Sequence, residues 1–213
     1  MTVSPSSRSS PRITFAALIV AWGGLVALSA ATGVTQALPT VLVPVPIALL
    51  LATPLVLYTR SERLQSLVAA EDVRWLTAFH AWRVPAGVAF LWYGSQGDIP
   101  LLFALIAGWG DVTAGLLAVA AVVRYGRGTE ANRRGYVGFH LFGMLDFVVA
   151  VGTGFAFSVL GNPLMGAVQE LPLVLIVFFG VPVTGALGLM TLHRLVRAPV
   201  EKRASPPSES PPT

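Results

Sequence analysis

The sequence predicts an all-α, polytopic membrane helix bundle with six transmembrane helices and both termini cytoplasmic, and three observations predict it. The first is composition: 54% of the 213 residues are hydrophobic and only 11% charged, with a mean hydropathy of +0.73, against about a quarter charged in an ordinary soluble domain. The second is segmentation, because the apolar residues fall into six runs of roughly twenty, the length that crosses about 30 Å of hydrocarbon as a helix. The third is charge asymmetry. Of the fourteen Lys and Arg, only Arg74 and Arg83 lie outside the two tails, the C-terminal end of the last run and the second–third and fourth–fifth connections, and cytoplasmic segments are the ones that collect basic residues. The excess of basic residues therefore reads as topology in a cell membrane, inner or plasma, and not as a nucleic-acid footprint.

Residues 1–12 (MTVSPSSRSSPR) and 198–213 (APVEKRASPPSESPPT) are polar and Ser/Pro-rich, too poor in apolar residues to fold, and are read as disordered tails. Residues 13–197 form one transmembrane domain. The first run, Ile13 to Gly33, is read as a span because it is long for the apolar part of a cleaved leader and further spans follow it. The second covers Val41 to Thr59, with Pro44 and Pro46 at its start and Pro54 inside, where a kink is expected. Leu64 to Asp72, with Leu64, Leu67 and Val68 at helical spacing, is a short stretch expected to lie along the interface.

The third span runs from Val73 to Tyr93 and ends at GSQGDIP, a turn-forming sequence. Pro85 within it frees the carbonyl of Ala81 and is expected to bend the helix. The fourth span, Leu101 to Val123, stops at an arginine-rich connection holding Arg124, Arg127, Arg133 and Arg134. On it Ala104, Gly108, Asp111, Gly115 and Ala118 share one small-residue face, which lets another helix approach closely. The fifth span covers Tyr136 to Leu160, GNPLMGAVQE connects, and the sixth begins at Leu171 and reaches His193, Arg194 and Arg197. No internal repeat supports inverted-repeat transporter logic.

Five ionisable residues, His80, Arg83, Asp111, His140 and Asp146, sit inside these runs. A charge at the bilayer centre costs at least about 2.5–3.5 kcal/mol on insertion scales, so such a residue has a partner or a job. Counting about 1.5 Å per residue from the arginine-rich ends puts Arg83, Asp111 and Asp146 together near the midplane, roughly 15–20 Å deep, and His80 and His140 about a turn nearer that end. His80 and Arg83 share a helix face. His140 and Asp146 are six residues apart, about 120° around the helix, and cannot both point at one narrow centre. His193, beside Arg194, reads as an interfacial residue.

Three chemistries fit this cluster, and a fourth reading is structural. The site binds a small polar or lipid-derived molecule as a proton-linked carrier, with Arg83 holding an anion and the two aspartates as counter-charges. It is a membrane-embedded enzyme in which His80, His140, Asp111 and Asp146 bind a non-haem metal or act as general acid and base. It is an electron-transfer protein in which His80 and His140 hold haem. Or Arg83 and the aspartates only fix helix packing. The absence of cysteine removes disulfides, thiolate metal sites and cysteine nucleophiles. A Walker A sequence, a GxSxG elbow and a dinucleotide fingerprint are also absent, which disfavours nucleotide-driven transport and ordinary hydrolase chemistry. The expected partners are the lipid bilayer and one small ligand, received in a polar cavity among the third to fifth spans that opens toward the cytoplasm.

Overall fold

The computed structural model describes residues 11–126 and 130–197, with side chains for 17–126 and 132–197. The first ten and last sixteen residues, to which the disordered-tail expectation applies, and Arg127 lie outside the described residues. Helix α1 covers Pro11–Ala31, and so takes in the last two residues assigned to the N-terminal tail. It is followed by α2 (Pro44–Arg60), α3 (Glu62–Ala70), α4 (Val73–Ala78), α5 (Arg83–Gln96), α6 (Leu101–Tyr125), α7 (Glu130–Val159), a three-residue turn α8 (Leu173–Leu175) and α9 (Val181–Arg197). No strand occurs among the described residues.

Helix α6 is the centre of the bundle, with its most extensive packing against α5 and then α7, while α9 packs on α2 and α7. Its small-residue face explains this: Ala104, Ala107, Ala114 and Ala118 are at most 1% exposed, and Asp111 lies among them. At the tightest point Gly87 of α5 meets Gly108 of α6, where a Cβ on Gly87 would collide with the Gly108 carbonyl and stand 2.8 Å from the Val112 nitrogen. The reverse connection is made at Gly97, whose φ of +81° closes α5 in a conformation that a side chain disfavours. The outward faces are apolar as well, with Leu49, Leu57, Trp92, Trp109, Leu116, Leu145 and Val148 all exposed. Such extensive apolar exposure is foreign to a water-soluble monomer.

Four helical stretches are long and apolar enough to cross a membrane: Thr40–Arg60, Leu101–Tyr125, Asn132–Val159 and Leu173–Arg197. Of α1, which runs over 21 residues, the described side chains cover the apolar stretch Ala17–Ala31. The third span is not one α-helix: α4 gives way to a 3-10 turn, Phe79–Trp82, before α5 begins. The expected bend is therefore a change of helix type just before Pro85, where the ring removes a donor and crowds the Ala81 carbonyl.

The sixth span is also interrupted, by a π turn at Ile176–Gly180. The Trp82 ring packs on Gly180, where a Cβ would overlap it, and its Nε1 donates to Thr184 Oγ1 at 2.7 Å. Helix α2 runs unbroken through Pro54. The short stretch after it is α3, capped by Ser61 Oγ, which accepts from Leu64 N. Leu64 and Val68 pack with Tyr58 and Met190, and Arg194 donates to the Val68 and Glu71 carbonyls. Leu67 points away.

At the opposite end, the connection Pro163–Gln169 forms a 3-10 turn. Gln169 is buried, donates to the Thr35 and Leu38 carbonyls at 2.6 and 2.7 Å, and accepts from Thr35 Oγ1 at its own carbonyl. This side-chain staple closes the arginine-poor end of the bundle.

Candidate functional site

Arg83 opens α5 and is fully buried. Its Nε donates to Asp111 Oδ1 of α6 at 2.6 Å, its Nη2 to Asp146 Oδ2 of α7, and its Nη1 to the Gly143 carbonyl at 3.4 Å. The guanidinium carbon lies 4.0 Å from the centre of the Phe147 ring. One cation thus joins three helices by charge-assisted hydrogen bonds, the kind of satisfaction that a buried charge requires. Two glycines make room for it. A Cβ at Gly143 would stand 3.4 Å from Arg83 Nη1, and one at Gly110 would overlap the Asp146 carboxylate.

His80 and His140 are brought together, but apart from this triad. Both rings are fully buried and meet edge to face with centroids 5.2 Å apart. Phe139 lies against both, at 5.2 and 5.0 Å. The rings come from different helices, His80 from the 3-10 turn and His140 from α7, while Asp146 has turned away toward Arg83. His140 Nε2 faces Thr77 Oγ1 at 3.4 Å, whereas the two nitrogens of His80 and Nδ1 of His140 have no hydrogen-bond partner. His193 pairs with Tyr58, Oη to Nδ1 at 3.1 Å, at the arginine-rich end.

Two expectations concern these residues. The four-residue metal set of His80, His140, Asp111 and Asp146 is not assembled: among the described residues no three or more His, Cys, Asp or Glu side chains gather closely enough to hold an ion. The physical reason is that the guanidinium takes both carboxylates. The haem expectation rests on the same two imidazoles, which meet each other and Phe139 edge to face.

The cavity is also not the expected one. A cleft of about 60 Å³ lies between the first turns of α2, the outer halves of α5, α6 and α7, and the sixth span. It extends from Asp111 to Thr40, Ser158 and Met165 at the arginine-poor end, opposite to the direction predicted, and its walls are apolar. Phe90, Phe103, Phe147 and Phe155 line it, and Asp111 is its one ionisable lining residue. A space of this size exceeds the roughly 10–15 Å³ that one water needs. Arg83 does not line it. The carboxylate stands between the guanidinium and the cleft, with Oδ1 bonded to Arg83 and its side chain 8% exposed.

Neither the four phenylalanines nor Gln169 stood out from the sequence as site residues, because an aromatic residue in an apolar run carries no mark of the space beside it. The spacing of Phe103, Ala107 and Asp111 at four-residue steps is the one signal that could have found the cleft wall on α6. Comparison with curated proteins and with solved structures gives no match. Residues 40–196, which hold every residue of the triad, the histidine pair and the cleft, match a family model, and the chain belongs to the family described as "Domain of unknown function (DUF8737)".

Proposed function

We propose that this protein is a multi-pass protein of the cell membrane, with six spans and both termini cytoplasmic, that carries a small amphipathic molecule by a proton-linked cycle. The ligand's apolar body occupies the phenylalanine-lined cleft and its polar end meets Asp111. The observation that carries this reading is that the cleft presents a single carboxylate while Arg83 is sealed behind it. The ligand head is therefore a cation or a hydrogen-bond donor, and the anion-holding role read for Arg83 from the sequence gives way to a positioning role. Carrier is favoured over enzyme because the cleft is apolar apart from one carboxylate, and that carboxylate is already bonded to Arg83.

The proton link follows from charge count. One guanidinium against two carboxylates leaves the triad one negative charge in excess when both are ionised, and a proton or the ligand's own positive charge cancels it. In a medium where uncompensated charge is costly, the two alternate. Ring faces attract organic cations, which the four phenylalanines supply.

The test uses two probes of similar size and opposite charge, phenethylammonium and 3-phenylpropanoate, bound to detergent-purified protein. The cation is expected to bind saturably and the anion not, with Asp111→Asn losing at least tenfold in affinity for the cation while keeping an acceptor for Arg83. Equal binding of both probes, or unchanged cation binding in Asp111→Asn, would refute the reading. Topology has its own expected result. The chain lacks cysteine, so single reporters at Gln65→Cys and Gln96→Cys should label from the cytoplasmic and the external side respectively, since the arginine asymmetry fixes both. External labelling at position 65 in intact cells would invert the assignment.

A further inference from the structure

We infer that His80, His140 and Met144 form a site for a soft monovalent metal ion, copper(I), separate from the cleft and independent of the carrier reading. Both imidazoles are completely buried, and three of their four ring nitrogens have no hydrogen-bond partner. Buried polar atoms in native proteins are almost always satisfied, so three orphans in one place call for a ligand.

The geometry names the donors. Met144 stands one helical turn after His140, on the same face of α7. Opposite, on α9, is Gly188: a Cβ built there would lie 2.8 Å from Met144 Cε, 3.3 Å from His80 Cε1 and 3.7 Å from His140 Nδ1. Three side chains thus meet beside this glycine: His140 turns an orphan nitrogen toward it, and His80 and Met144 turn toward it the carbons bonded to their donor atoms. Two imidazoles sharing a tetrahedral ion at about 2.0–2.1 Å place their ring centres about 5 Å apart, and the observed separation is 5.2 Å. Thr77 Oγ1 at 3.4 Å from His140 Nε2 is placed to accept its N–H. With the proton on Nε2, the Nδ1 lone pair is left toward the other donors, the arrangement in which second-layer partners hold metal-binding histidines.

The donor set then selects the ion. Two neutral nitrogens and a thioether, with no carboxylate or thiolate, match soft copper(I) and are poor ligands for magnesium, calcium or manganese, which take oxygen.

The experiment titrates the purified full-length protein, without oxygen, with copper(I) against a chromogenic chelator and with silver(I) as a redox-inert substitute. One ion per chain is expected, with an X-ray absorption spectrum showing nitrogen and one sulfur neighbour. Met144→Leu, which preserves volume, should weaken binding at least tenfold and remove the sulfur signal, and His80→Gln and His140→Asn should abolish binding. Asp111→Asn should retain it, so that failure of this site and failure of the cleft are read separately. Absence of binding by the wild type, a wild-type spectrum without sulfur, or unchanged affinity in Met144→Leu would overturn the proposal. The leucine variant keeps the test decisive if the histidine variants do not fold.

Discussion

Arg83→Ala is expected to destabilise the protein by about 3–5 kcal/mol, the range seen when one member of a buried charge set is removed. The loss has a specific origin. Arg83 is fully buried and bonds Asp111, Asp146 and the Gly143 carbonyl, so its removal leaves two carboxyl groups facing each other in an apolar layer and a carbonyl without its donor. Arg83→Met with Asp111→Asn and Asp146→Asn removes the charges together and should recover most of the lost stability, because replacing a whole buried ionic set by neutral groups is often tolerated. Arg74→Ala serves as the comparison. Arg74 bonds Asp72 at 2.8 Å, but the pair is about one-third exposed, and its loss should hardly register. Melting in detergent, followed by loss of monodispersity, checks all three. Equal melting temperatures for Arg83→Ala and Arg74→Ala would mean that the triad is not a buried network in the folded protein.

The second large effect concerns packing without any charge. Gly87→Val should prevent stable folding, because even its Cβ would strike the backbone of α6 at Gly108 and Val112, and backbone cannot step aside unless the two helices separate. Ordinary overpacking of a core costs about 1–3 kcal/mol. Here the obstruction lies in the most extensive helix pair of the bundle, which also carries Arg83 and Asp111 on its two sides, so the triad would be pulled apart as well. Gly152→Ala is the control, with nothing within 4 Å of its added Cβ, and should melt at or slightly above the wild-type temperature, since alanine is the better helix former. Comparable losses in Gly87→Val and Gly152→Ala would show that the α5–α6 contact is not tight.

Much of this arrangement was legible in the chain. Small residues at three- and four-residue steps around Asp111 have one stable use, close helix packing, and depth counting is reliable because helices rise regularly; together they bring Arg83, Asp111 and Asp146 to one level. The six-residue offset of His140 from Asp146 already argued against a single centre, and the structure gives each its own partners. What was not legible depends on side-chain shape. Whether four phenylalanines leave a cleft among them, and on which side of Asp111 it extends, is set by how helices cross, which hydrophobic periodicity does not encode. Met144 and Gly188 read as ordinary packing residues until His80 and His140 are seen beside them. Gln169 lay in a connection, where a polar residue is the expectation, and only the fold shows it spanning to Thr35 and Leu38. The 3-10 turn at Phe79–Trp82 was half-visible: Pro85 announces a disturbance, and its form follows from packing against α6.

The most direct test of the central claim, a ligand cleft running from the arginine-poor face to Asp111, is the reactivity of one introduced thiol. Ala150 lines the cleft on α7 one turn beyond Asp146, and Ala150→Cys in this cysteine-free chain gives a reporter without background. An impermeant thiol reagent should modify it from the external side of intact cells, and phenethylammonium should slow the reaction while 3-phenylpropanoate does not. No modification from that side, or a rate that the amine leaves unchanged, would contradict it.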